Sequence, residues 1–503
     1  MQNNVLDYFD NALSRVPDKL AFSNGTEGMT FREVYDESCA VASYLAAHDM
    51  YRVPVVIFMQ KHPKEVTAFF GTIRGGCYYV PIDEEMPAGR IQLILDNVRA
   101  PLVICDEATL ETAKTFSFDG IIVTYDEIRT TPVNEERLTE IHEKTLDVDP
   151  IYIVFTSGST GVPKGVCACH RSVIDYIEQL SDTLEFNEDT VFGNQTPLYF
   201  DACLKELYPT LKFGATTYLI PKSLFMMPIK LVEYLNEYKI NTVCWVVSAL
   251  TMISAFGTFK TVVPKYLKSV TFGSEVFAIK QFNIWRETLP DAKFTNLYGP
   301  TEGTGMCCFY KVDREFAPDE VIPIGRPFKN TEILLLNEKN ERAADGEPGE
   351  ICIRGTSVTL GYYNNPEKTA GSFVQNPLNT AYPEIIYRTG DIGKVNERGE
   401  LVFVSRKDYQ IKHMGHRIEL GEIEVNVNMQ DGIKMTGCIY DDAKGKIVLY
   451  YVGDPTEKEL TVLLKGKLPR YMLPNKMIKL SEMPLTANGK IDRVTLKKMY
   501  QQG

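Results

Sequence analysis

Ten residues, Thr156-Ser-Gly-Ser-Thr-Gly-Val-Pro-Lys-Gly165, constrain this chain more than any other stretch, because they follow directly on the apolar run IYIVF at 151–155. A strand ending in a loop of glycines and small hydroxyl residues gathers backbone N–H groups and hydroxyls that can close around phosphate oxygens. It is not a Walker A loop: the GxxxxGK[ST] spacing is absent and Pro163 stands before Lys164. Beyond it, Val173, Tyr176, Ile177 and Leu180 recur at helical spacing, so the loop is expected to join a strand to following helical structure. Upstream, VPVVIFM, PLVICD and IIVTYD are β-rich runs between 53 and 126, with RIQLILDNV at helical period between the first two. That alternation belongs to a layered α/β fold.

Between about 322 and 404 the texture changes to short β-rich pieces, EILLLN, EICIRG and ELVFVS, broken by Gly, Asn and Pro, which reads as a small β-subdomain. After Arg406 a short α+β segment ends in a Lys-rich tail, and the main boundary is expected at Lys407 and Asp408. The expected layout is therefore an N-terminal core over 1–407 and a small α+β C-terminal domain over 408–503. A chain of 503 residues, 44% hydrophobic, has enough apolar material for several cores. Its net charge of -12 argues against a surface that grips nucleic acid, which requires Lys and Arg on phosphates. No basic start with an apolar run opens the chain and no stretch approaches the roughly 20 apolar residues of a membrane span, so a soluble, cytoplasmic protein without membrane insertion is expected. The eleven cysteines include no CxxC and no histidine at zinc-ligand spacing, and are read as reduced, buried thiols.

A run of motifs over nearly the whole length resembles the acyl-adenylate-forming superfamily of acyl-CoA synthetases, luciferases and peptide-synthetase adenylation domains. They are GGCYYVPID at 75–83, the 156–165 loop, FDA at 200–202, NLYGPTE at 296–302, GEICIRG at 349–355 and YRTGD at 387–391. The 406–424 segment, LPRYMLP at 468–474 and NGKIDR at 488–493 complete the series in the family's order. The resemblance implies an AMP-forming ligase that uses ATP and magnesium. It gives Glu302 the role of magnesium-associated carboxylate, and sets Thr301 beside the α-phosphate. Thr156, Ser157, Gly158, Ser159, Thr160, Gly161 and Lys164 would surround the nucleotide's phosphates. Gly273, Ser274, Asn296, Tyr298 and Gly299 would form the adenine slot, Asp391 would accept the ribose hydroxyls, and Arg406 would lie on the ribose and phosphate side. Lys490 resembles the lysine that touches both the substrate carboxylate and the α-phosphate, where one cation reaching two anions lowers their repulsion. Asp408 resembles the hinge about which the C-terminal domain swings between two catalytic states. One departure is Ser405, where the family usually has glycine before the arginine.

Asp201 resembles the aspartate with which amino-acid activators pair the substrate's α-ammonium group, and a buried carboxylate needs such a cation. By motif, the other pocket positions are Ala202, Lys205, Trp245, Val270, Phe272, Leu297, Gly305 and Met306. Trp245 and Phe272 as walls favour a small side chain, such as alanine in either configuration, glycine or serine. Lys205 is expected to snorkel to the surface; turned inward, it would call for an acidic side chain instead. The layout is also similar to D-alanine:D-alanyl carrier protein ligases, with GSEV at 273–276, although Phe272 stands where that group typically has cysteine.

No carrier-protein or condensation motif is present, so the expected acceptor is the phosphopantetheine thiol of a separate carrier protein, with coenzyme A as the alternative. From Thr456 to Gly503 ten Lys or Arg stand against four Asp or Glu, a basic tail suited to an acidic carrier. A fatty or aryl acyl-CoA synthetase, an acyl-CoA synthetase for another small carboxylic acid, a luciferase-like oxygenase and a non-catalytic nucleotide or amino-acid sensor are the rival readings. Asp201 disfavours the first, and intact Glu302, Asp391, Arg406 and Lys490 disfavour the sensor.

Overall fold

The computed structural model describes residues 2–158, 161–407, 409–485 and 491–502. The chain divides into two compact units. The larger consists of Met1–Glu84, Val98–Val154 and Val166–Lys407; the smaller draws together Glu85–Asn97, Phe155–Gly165 and Asp408–Gly503. The fold class is the layered α/β architecture expected, with a β-subdomain and a separate α+β portion.

Two sheets dominate the larger unit. In the seven-stranded sheet the central strand Pro54–Phe58 lies parallel to Tyr78–Pro81 on one side and Leu102–Cys105 on the other. All five of its residues are buried, which explains an unbroken apolar run rather than an alternating one. Pro63–Arg74, a helix absent from the sequence reading, follows that strand. It starts at His62, whose ring accepts the Lys64 N–H at 3.1 Å, with Pro63 in the first turn. Its residues 65–73 are all buried, so it lacks the polar face that makes a helix legible. A strand, Lys164–Cys169, also intervenes between the Gly/Ser/Thr loop and the helix His170–Leu184; GVCAC is uniformly buried and carries no helical period.

The nine-stranded sheet carries most of the candidate site. Its strands Thr242–Val246, Ser269–Gly273 and Lys293–Tyr298 run parallel, with Trp245 beside Phe272 and Phe272 beside Asn296. Open parallel sheets bind ligands at their carboxyl ends, and these three strands end on Val246, Gly273 and Tyr298. The β-subdomain is a five-stranded antiparallel sheet built on Gly349–Gly355 and Ile385–Val395, the latter paired with Leu401–Arg406. The smaller unit holds the hairpin Gln410–His413/His416–Glu419, the helix Leu420–Asn428 and a three-stranded sheet of Ile433–Asp441, Lys446–Gly453 and Lys476–Lys479. All eleven cysteines are buried and free. Among the described residues, no helix is long and apolar enough to cross a membrane.

Candidate active site

Antiparallel pairing of Ile385–Val395 with Leu401–Arg406 sets Asp391 directly opposite Arg406. Arg406 Nη1 donates to Asp391 Oδ1 at 2.5 Å, and Tyr298 Oη donates to Oδ2 at 2.5 Å. Asp391 is therefore a buried strand residue held by a cation and a phenol, not a solvated turn aspartate. Burial, then the Asp391 charge, holds the Tyr298 hydroxyl well above its usual range, so it remains a donor. Two residues earlier, Asn296 spends its amide N–H on the Pro323 carbonyl at 2.9 Å.

After Tyr298 the chain turns sharply. A Cβ on Gly299 would lie 2.5 Å from Met306 Cα, so only glycine fits there. The following 3₁₀ turn, Thr301–Gly303, buries Glu302 completely, and Tyr362 Oη donates to Glu302 Oε1 at 2.7 Å. A single fixed carboxylate suits magnesium arriving on a nucleotide, since that ion is generally held by one or two carboxylates plus phosphate oxygens. No group of three or more His, Cys, Asp or Glu among the described residues makes a dedicated cage. Gly273 packs with its Cα against the Leu297 carbonyl, where a Cβ would come within 2.4 Å, and Ser274 follows at φ +70°, a conformation unusual outside glycine.

In the smaller unit, the Gly/Ser/Thr loop meets carboxyl oxygens. The Gly158 N–H donates to Glu422 Oε2 at 3.1 Å, and Lys164 Nζ lies 3.6 Å from Glu419 Oε1. Ser157 Oγ donates to the Arg417 carbonyl at 2.8 Å and accepts the Glu419 N–H at 3.2 Å. Thr156 Oγ1 reaches the Lys164 carbonyl at 3.5 Å, and Gly161 turns at φ +80°. Arg90 pairs with Glu422, both of them buried. Ser159, Thr160, Asp408 and Lys490 lie outside the described residues.

The candidate substrate residues divide between two faces of the nine-stranded sheet. Trp245, Val270 and Phe272 pack in one hydrophobic cluster, whereas Leu297 and Met306 pack with Tyr152 and Tyr176 in another. Register explains the split: Phe272 is level with Trp245, and Leu297 is level with Gly273, one residue further along. Trp245 is also committed to the fold, donating its indole N–H to the Gly193 carbonyl at 2.6 Å. Trp245 and Phe272 thus lie on the opposite face of the sheet from Leu297. Gly305, at φ +86°, brings its backbone under Tyr176, where a Cβ would stand 3.2 Å from the ring.

Asp201 opens a short 3₁₀ turn, Asp201–Cys203, and is not the capping residue of that turn or of the helix Leu204–Phe213 behind it. It is 7% exposed and Lys205 4% exposed, with Ala202 half-buried between them. Lys205 thus does not snorkel; the helix that carries it is buried from Leu204 to Leu211, and no water-facing path is left to its stem. Its neighbour Glu206, fully buried, takes the Asn194 amide at 3.3 Å, and burial pushes its carboxyl up to about 7. Tyr152, Tyr362, Glu206 and Arg90 had no motif to mark them; Glu419 and Glu422 stood inside RIELGEIE, but as ordinary acidic residues.

The larger unit thus holds a buried carboxylate gripped by phenol and guanidinium and a glycine-framed turn ending on a buried glutamate, and the smaller unit holds a loop that meets carboxylate oxygens. The sequence matches the family model described as AMP-binding enzyme over residues 9–363, and the chain belongs to that family. It is an AMP-forming ligase similar to amino-acid adenylation domains. It is 30% identical over 499 residues to tyrocidine synthase 1 of Brevibacillus parabrevis, covering 97% of this chain and 44% of that protein. To zwittermicin A synthase ZmaJ of Bacillus cereus it is 30% identical over 510 residues, covering 99% and 95%. The chain thus spans less than half of tyrocidine synthase 1 but nearly all of ZmaJ. Among solved structures, the fold matches Vibrio cholerae AlmE, an adenylation domain in complex with glycyl-adenosine-5'-phosphate, at TM-score 0.85 and 20% identity, over 100% of this chain and 98% of AlmE. It also matches a holo NRPS protein containing adenylation and PCP domains at TM-score 0.82 and 23% identity, over 99% and 84%.

Proposed function

We propose that this protein activates an amino acid with ATP, releasing pyrophosphate, and passes the aminoacyl group from its adenylate to the phosphopantetheine thiol of a separate carrier protein. The observation that carries the reading is Asp201, a carboxylate held inside the larger unit in a chain of the AMP-binding family. A buried carboxylate suits a substrate ammonium group, which fatty and aryl acids lack. The side chain is short: alanine in either configuration, or an acid of aspartate or glutamate length.

In the first step the substrate carboxylate attacks the α-phosphorus in line and pyrophosphate leaves. Asp391, oriented by Tyr298 and Arg406, accepts the ribose hydroxyls, and the Gly158 N–H and Lys164 receive phosphate oxygens in place of Glu422 and Glu419. Glu302 would hold magnesium, which when bound offsets phosphate charge. Lys490 bridges substrate carboxylate and α-phosphate, reducing their repulsion. Rotation at Asp408 then withdraws it and admits the thiol. The exposed residues Lys465, Lys467, Arg470, Lys476 and Lys479 form the surface proposed to meet the carrier.

Amino-acid-dependent ATP–pyrophosphate exchange tests the reading. Asp201→Ser is expected to lower exchange roughly 100-fold or more, since it strands the ammonium without its counter-charge; unchanged exchange would remove Asp201 from the site. Lys490→Ala should abolish exchange yet spare transfer from pre-made adenylate, and equal damage to both steps would count against the bridge. Reversing Lys465, Lys467 and Arg470 should slow loading of a carrier protein without touching exchange.

A further inference from the structure

The strands Gly349–Gly355 and Ile385–Val395 do not keep step. Glu350 stands opposite Ile392 and Cys352 opposite Arg388, so three residues, Thr389, Gly390 and Asp391, answer a single one, Ile351. A bulge of this kind takes backbone groups out of the ladder and re-aims the side chains it carries. Gly390 sits in it at φ +74°, in the left-handed region that favours glycine, and Asp391 is the next residue. Substitutes replace the lost ladder bonds: Thr389 Oγ1 donates to the Ile351 carbonyl at 2.7 Å, and the Gly390 N–H donates to Glu350 Oε1 at 3.2 Å. The aim of the Asp391 carboxylate therefore depends on where Glu350 lies.

Glu350 is 5% exposed, and its other oxygen is crowded with donors. Oε2 accepts Arg388 Nε at 2.8 Å and Nη2 at 2.5 Å, and Lys407 Nζ at 3.2 Å. Burial would push this carboxyl up; Arg388 and then Lys407 outweigh it and hold Glu350 below its usual range, so it stays an anion. A pair across the sheet with Arg388 alone would be ordinary strand chemistry. What sets Glu350 apart is a closed ring, because Lys407 also donates its backbone N–H to the Gly390 carbonyl at 2.8 Å. Glu350 holds Gly390 by its N–H, Lys407 holds it by its carbonyl, and the two side chains hold each other. Lys407 is the last residue of the larger unit, so the ring joins the Asp391 bulge to the end of that unit.

We infer that Glu350 is a positioning residue for nucleotide binding, which holds the bulge so that Asp391 faces the ribose and ties that aim to Lys407. The inference rests on the proposed role of Asp391 in ATP-dependent activation and deepens it. Glu350 touches no substrate in this scheme; it acts through the backbone of Gly390. An amide at this position keeps the shape but turns donors toward Arg388 and Lys407, leaving both cations with one acceptor fewer and the Gly390 N–H with a weaker one. The ring then opens at its charged corner. The bulge relaxes and Asp391 meets the ribose diol less well aimed, while Asp201, on the turn Asp201–Cys203, is untouched.

The test is a pair of Michaelis constants measured by pyrophosphate exchange in the full chain, using the amino acid that the wild-type protein exchanges fastest. Glu350→Gln is expected to raise the KM for ATP about 10-fold and to leave the KM for the amino acid within about 2-fold of wild type. A merely structural role would lower the amount of active protein and move neither constant. The Lys407 side chain is 46% exposed, and Lys407→Met should raise the KM for ATP about 3-fold. The double variant should be no worse than Glu350→Gln alone, because both changes open the same ring. A KM for ATP within about 2-fold of wild type in Glu350→Gln would overturn the inference, as would an equal rise in both constants, or effects of the two variants that multiply. Should Glu350→Gln fail to fold, Lys407→Met decides by whether the KM for ATP alone moves. No exchange with any amino acid by the wild-type protein would overturn the underlying reading and this inference with it.

Discussion

Asp391 is fixed by two neighbours. Arg406 holds one oxygen and Tyr298 the other, and its own N–H donates to Thr389 Oγ1 at 2.9 Å, so neither oxygen is free to swing. A ribose diol binding to such a carboxylate meets an acceptor pair already oriented, and loses little to reorganisation. Asp391→Asn replaces one acceptor by a donor facing Arg406, and we expect the KM for ATP in exchange assays to rise at least about 10-fold. Tyr298→Phe should give a smaller rise, because Arg406 still anchors the other oxygen; a KM unchanged in both variants would place the ribose elsewhere. Asp391, Tyr298 and Arg406 stood out in the sequence because they sit in short motifs. Tyr362 did not. It reaches Glu302 only because the strand Gly361–Tyr362 pairs with Val166 and Cys167, nearly two hundred residues earlier in the chain. Lys205 was read on the general habit of lysines, and no local pattern reveals that its helix is buried almost all round.

At the level of elements, periodicity succeeded where one face meets water and failed where neither does. The helix His170–Leu184 buries Val173, Tyr176, Ile177 and Leu180 as its spacing predicts. Pro63–Arg74 and Lys164–Cys169 are buried on every side, so their apolar runs carry no phase. The same limit applies to the substrate residues. Motif order identifies Phe272 and Leu297, but only strand register decides that they belong to opposite faces. The sharp turn after Lys293–Tyr298 is the element on which the site most depends, because it carries the chain from Tyr298 to Glu302 while packing backbone on backbone. Gly299→Ala would press its methyl within 2.5 Å of Met306 Cα, 2.6 Å of the Gly305 carbonyl and 2.7 Å of the Cys307 nitrogen. None of these is a side chain that can rotate away. We expect a loss of about 1–3 kcal/mol in urea unfolding and a fall in exchange larger than that loss of folded protein explains, since Met306 and Gly305 are displaced together. Full activity with a normal melt would mean that the turn is softer than its packing.

For the molecule as a whole, stability is tied to acid through a histidine remote from the chemistry. His170 begins the helix His170–Leu184, is 3% exposed, and its Nδ1 accepts the Val5 N–H at 3.1 Å, fastening the amino-terminal segment to that helix. Burial pushes its pKa down to about 4; Asp149 and Asp147 pull it back upward, and His142 adds to the depression. The ring therefore stays neutral in the folded protein at pH values where an unfolded histidine, near 6.5, has taken up a proton. Because the unfolded chain binds more protons across this window, folding is favoured as pH rises. The stabilisation is fully present above about 6.5 and is lost as pH falls toward 4, at up to about 1.4 kcal/mol for each pH unit. His170→Asn keeps an acceptor for Val5 but cannot titrate. Urea unfolding at pH 7, 5.5 and 4.5 should show the stability of wild type relative to His170→Asn falling as the pH drops, whatever the substitution costs at neutrality. Carboxylates elsewhere titrate identically in both proteins and cancel from the comparison, so parallel curves would mean that His170 is protonated in the fold and that the contact with Val5 is made some other way.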